Sequence, residues 1–74
     1  MSGINEIKAR IEQAKDQVEF YSAVEDVCIK GGYRFDDSET MRENADRAVM
    51  QGKPLVCEAL RYAGVVIKRK GWSE

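Results

Sequence analysis

Apolar side chains recur at steps of three and four through the first part of the chain: Ile4, Ile7, Ile11, Ala14, Val18 and Tyr21, then Val24 and Cys28. That spacing lays a seam along one face of a helix, in the manner of a coiled-coil strand. It predicts a first helix from Ser2 or Gly3 to about Ile29, with Ser2 as N-cap and Glu6 and Arg10 as an i,i+4 pair. Gly31 and Gly32 are its stop, since glycine accepts the left-handed conformation past a helix end. Such a helix would hold about 26 residues and run roughly 39 Å.

A second helix is predicted from the cluster Asp36-Asp37-Ser38-Glu39 to about Gln51, with Asp36 and Glu39 as a capping box. Its apolar stripe is Met41, Ala45, Ala48 and Val49. Gly52-Lys53-Pro54 is a break, and Pro54 fits the first turn of a third helix. That helix continues through Leu55, Val56, Ala59, Leu60, Ala63, Val66 and Ile67 to about Arg69. The predicted fold is all-α: one small domain, a long N-terminal helix packed with a C-terminal αα-hairpin, three helices in all. Two alternatives compete. In one, Val27–Ile29 and Tyr33–Phe35 pair as a β-hairpin around Gly31-Gly32, giving a small α+β fold. In the other, Gly64 ends the third helix early and leaves Val65–Ile67 as a strand. The bland reading of Gly64 is a close backbone approach within the helix.

The hairpin helices would be about 21 and 24 Å long, so roughly 15 Å of the first helix would project beyond them. The projecting end would carry Ile4, Ile7 and Ile11, because the connector near Gly31 pins the other end. Each isoleucine is worth about 1.5–3 kcal/mol when fully buried, which favours a homodimer or a protein partner on this seam. The expected interface is therefore Ile4, Ile7, Ile11, Ala14, Val18 and Tyr21. If Ile4, Ile11 and Val18 are a positions, Lys8 and Lys15 fall at e and Arg10 at g. Like charges there disfavour a parallel pair and favour an antiparallel one or an acidic partner. A helix that bends or breaks and covers its own seam is the competing expectation.

Composition narrows the chemistry. With 74 residues the core is marginal, and small chains of this kind often add a disulfide, a metal or self-association. Cys28 and Cys57 each sit among apolar neighbours and read as buried free thiols. There is no histidine, so a zinc site and the usual Ser/His or Cys/His nucleophile pairs are missing. No phosphate loop or EF-hand pattern is present, and the paired acids read as helix caps or solvated surface. No catalytic residue, cofactor or metal is expected. With no secretory segment and no apolar run near 18 residues, no membrane partner is expected and the cytoplasm is the default location.

Charge is balanced overall at −1 but unevenly spread: −2 over residues 1–30, −2 over 31–52 and +3 over 53–74. Two surfaces follow. Asp37, Glu39, Glu43 and Asp46 would form an acidic face on the second helix, available to a protein partner. Arg61, Lys68, Arg69 and Lys70, followed by Trp72, could contact phosphates, which keeps nucleic acid as a second partner class. The bland reading of that segment is a cationic helix end with Trp72 folded on the core. A helix-turn-helix with Gly52 as its turn would bury Glu58, which argues against it. The expected function is non-catalytic protein binding, as an adaptor or inhibitor, with a small nucleic-acid-binding regulator as the alternative. Small motif-free helical chains of this style are common among accessory proteins of phages and mobile elements.

Overall fold

The computed structural model describes residues 3–72, in which four helices follow one another: α1 (Ile4–Glu12), α2 (Gln17–Lys30), α3 (Met41–Met50) and α4 (Pro54–Lys70). The all-α class stands, and no strand occurs among the described residues. The hairpin around Gly31-Gly32 and the strand at Val65–Ile67 are therefore not formed. Ser2, the expected N-cap, lies outside the described residues, and Gly3 precedes α1.

The long first helix is the main correction: it divides over residues 13–16. The Asp16 carboxylate accepts the Glu19 backbone N–H at 2.9 Å and so opens a new helix. On the other side of the break, Lys70 Nζ donates to the carbonyls of Glu12 and Ala14 at 3.2 and 2.9 Å. The Glu12 carbonyl ends α1 and the Ala14 carbonyl lies in the break, so neither has an intrahelical donor. Arg10 pairs with Asp26 on α2, at 2.6 Å, in place of the expected pairing with Glu6.

The break changes which side chains face inward. α2 buries Phe20, Ala23, Val24, Val27 and Cys28, one stripe at helical spacing. Val18 is turned out and is 80% exposed. Ile11 and Ala14 are inside the protein's own core, and Ile4, Ile7 and Tyr21 pack half-buried against it. No rod projects past the hairpin, so the premise for a dimer along this seam is removed. The accessible surface is 4871 Å², close to the roughly 4600 Å² expected for a folded single chain of this mass. The described fold closes its core without a second chain.

At the end of α2 two neighbouring glycines do different work. Gly32, at φ 71°, takes the left-handed conformation, with its N–H on Ile29 O and the Tyr33 N–H on Cys28 O at 2.8 Å. Gly31 is needed for space, since a Cβ there would lie 2.3 Å from Val56 Cγ2. α2 and α4 meet at this point.

α3 starts four residues later than the sequence pattern suggests. Thr40, not Asp36, is the N-cap: its hydroxyl accepts the Glu43 N–H at 3.1 Å, and Glu43 accepts the Thr40 N–H at 2.9 Å. Asp36 instead holds a turn, accepting from the Ser38 N–H and hydroxyl at 2.9 and 2.6 Å. Asn44 is a fully buried polar side chain and fastens this segment to α3. It accepts from the Tyr33 hydroxyl and the Asp36 N–H, both at 2.9 Å. It donates to the carbonyls of Asp36 and Thr40 at 3.0 and 2.9 Å.

α4 is central and packs against each of the other helices, while α3 packs among the helices against α4 only. Gly64 stays helical, and a Cβ there would sit in ordinary contact with Met41, 3.8 Å from its Cβ, so the packing at this point does not require glycine. Lys8 with Glu58 and Glu12 with Tyr62 show α1 running parallel to α4. Phe20 beside Trp72 and Gly31 beside Val56 show α2 returning antiparallel.

Candidate functional site

Where the first turns of α1, the last turns of α2 and the start of α4 diverge, they enclose a groove of about 640 Å³. Its floor is apolar: Ile7 from α1, Ala23 and Val27 from α2, Leu55 and Val56 from α4. The groove opens beside the point where Gly31, having no side chain, lets Val56 of α4 meet α2, and alongside the short α1, which buries Ile11 near its far end. Leu55 remains 47% exposed there.

The rim is charged. Arg10 and Asp26 bridge α1 and α2 across it at 2.6 Å. Lys30 closes α2 and Lys53 precedes α4, so two cations stand at the same corner. Neither forms an ion pair among the described residues. Glu6 is the remaining acid on the lining. α4 begins at this corner with no side-chain cap and no acid in its first turn. The positive end of its dipole meets the negative end of the α2 dipole there, so the positive charge of the corner is that of the two lysines. An apolar floor with a few charged groups at its edge is the usual composition of a recognition groove.

The groove presents no nucleophile. Cys28 and Cys57 are buried free thiols. Burial, with Glu25 adding to it, pushes the Cys28 thiol up to about 11, so it stays protonated and unreactive at neutral pH. Among the described residues, no three of His, Cys, Asp and Glu gather where a metal could sit. No described helix is long and apolar enough to cross a membrane.

The sequence-derived surfaces are dispersed by internal contacts. On the acidic face, Glu39 engages Arg47, which also reaches Asp36 at 3.8 Å. The Glu39 carboxylate raises the Arg47 pKa, and the Ser38 hydrogen bonds lower that of Asp36. Glu43 is engaged in the capping box, and Asp46 faces Arg61 at 3.9 Å. Asp37 is exposed. In the basic segment, a single nitrogen of Arg69 contacts both Glu12 carboxylate oxygens at 2.6 and 2.5 Å. Tyr62 donates to the same carboxylate at 3.0 Å. These bonds, from Arg69 first and Tyr62 second, lower the Glu12 pKa. Lys70 caps α1 and lies 5.1 Å from the centre of the Trp72 ring, which packs edge-on to Phe20. Lys68 is exposed. Glu58, the position that a helix-turn-helix would bury, is half-exposed and pairs with Lys8 at 3.2 Å.

Of the expected seam, only Ile7 contributes to the groove floor. A smaller hollow of about 380 Å³ at the α1–α2 corner is lined in part by Ala14 and Val18. Lys30, Lys53, Val27 and Leu55 were not singled out by sequence as site residues. No local pattern marks them, since the groove exists only because three separate segments diverge. Comparison with protein-family models, with curated proteins and with solved structures returned no match.

Proposed function

We propose that this chain is a non-catalytic protein-binding module, an adaptor or inhibitor, and that the groove between α1, α2 and α4 is its docking surface. The observation that carries this reading is the apolar floor of the groove, where Leu55 is half-exposed and Ile7 half-buried beside the buried Ala23, Val27 and Val56. The acidic face and the seam named from sequence contribute less, because their members are tied up in caps, ion pairs or the core. Nucleic-acid binding is a weaker alternative for the same reason: Arg69 and Lys70 hold α1 in place.

Leu55→Asp tests the proposal. Leu55 is half-exposed in the first turn of α4, where an acid suits the helix dipole, so the fold should survive. Tagged wild-type and Leu55→Asp chains, matched for helicity and melting temperature, are used to capture partners from the native host. A partner retained by the wild type and lost by the variant is the expected result. The same partner set on both would show that the groove is not the docking surface.

A further inference from the structure

The groove sorts its charges. Arg10 and Asp26 satisfy one another, which leaves Glu6 on the α1 side and Lys30 with Lys53 together at the α2–α4 corner. The chain as a whole carries −1, so this corner is a local reversal of sign beside an apolar floor. From Ala23 to Gly31 the α2 wall extends about 12 Å, enough for two turns of a helix or about four extended residues. A groove of that length, open to solvent along its edge, suits a linear segment.

We propose that the occupant is a short amphipathic segment of another protein that sets apolar residues on Ile7, Val27 and Leu55 and an Asp or Glu against Lys30 and Lys53. This rests on the reading of the groove as a protein-docking surface and adds the charge of the partner to it. Rim charges of this kind select partners and speed encounter more than they add affinity. The preference for acid is therefore a matter of specificity, and it is sensitive to salt.

The test is selection of random 12-residue peptides displayed against the whole chain, followed by anisotropy titration of the selected peptides. Titrations use wild type, Leu55→Asp and the double variant Lys30→Glu/Lys53→Glu, each checked for helicity and melting temperature. Selected peptides are expected to carry apolar residues at helical spacing and at least one acid. At low salt the double variant should bind them about tenfold more weakly, given two exposed ion pairs turned to repulsion. A Glu→Lys change in the peptide should recover that loss on the double variant alone. Peptides that need Leu55 but ignore the lysine reversal would overturn the acidic preference and leave the docking surface standing. Selection of no peptide that depends on Leu55 would overturn both. Two other occupants are read alongside: dodecanoate that binds in a Leu55-dependent way while no peptide is selected, or self-association abolished by Leu55→Asp. Either would assign the groove elsewhere and overturn the proposal.

Discussion

Asn44 shows what a single residue does in a core this small. It is fully buried, and both ends of its amide are engaged, so it joins Tyr33, Asp36 and Thr40 to α3 with four hydrogen bonds. Removing it leaves the buried Tyr33 hydroxyl without that partner, and a buried polar group left unsatisfied costs about 1–3 kcal/mol. Asn44→Ala should therefore destabilise the chain by about 2–4 kcal/mol, a large share of what a small domain possesses. Urea unfolding measures it. Tyr33→Phe removes the hydroxyl from the other side, so the two changes together should cost less than their sum. Additive losses would mean that Asn44 and Tyr33 are not coupled through their hydrogen bond.

At the scale of the element, the break between α1 and α2 decides the architecture, and Asp16 makes it. Asp16→Ala removes an N-cap and should cost about 1 kcal/mol. Were the first helix continuous, the same change would place a better helix former in its interior and stabilise it. Thermal unfolding followed by circular dichroism gives the sign, and a stabilised variant would refute the break. Asp16 with Glu19 is a start signal that sequence contains. It goes unread because the three-four apolar repeat runs straight through it: Ala14 and Val18 keep the period although they end up on opposite sides of a corner. α4 is legible because Pro54 opens it and its apolar stripe is unbroken to Ile67. α3 is half legible: Met41, Ala45 and Ala48 of its expected stripe are buried, while Val49, the fourth member, is turned out and half-exposed. Asp36 with Glu39 has the same spacing as Thr40 with Glu43, so sequence does not choose between them; in the fold Glu39 engages Arg47 and Asp36 holds a turn, which leaves the cap to Thr40. The groove is not legible at all. It depends on Gly31 meeting Val56 across two helices, and nothing local in either segment announces that contact.

For the whole molecule, the end of α4 acts as the clasp. The fold is a slab, 30 × 29 × 16 Å, and α1 and α2 are held to α4 at its far end by Glu12, Arg69, Lys70 and Trp72. This clasp depends on pH through Glu12. Arg69 and Tyr62 bond its ionised form, so its pKa in the folded protein lies below the ordinary value of 4.5. The unfolded chain then takes up a proton at higher pH than the folded one does, and stability is drawn from that difference. The contribution is complete above pH 4.5 and is lost as pH falls through the lower folded value. Asp36, whose pKa also lies below its ordinary 3.8, adds a second loss that begins further into acid. Trp72, packed against Phe20, reports the opening through its emission. In wild type the melting temperature should fall below pH 4.5, with Trp72 becoming solvated as the clasp opens. Glu12→Gln cannot titrate, so it should be less stable at pH 7 and lose less on acidification, with its remaining decline beginning near pH 3.8. The two pH profiles should converge in acid, because a protonated Glu12 and the amide that replaces it are both neutral toward Arg69. Parallel profiles, offset by a constant amount from neutral pH into acid, would show that Glu12 does not carry the acid sensitivity and that the ends of the chain are joined by packing alone.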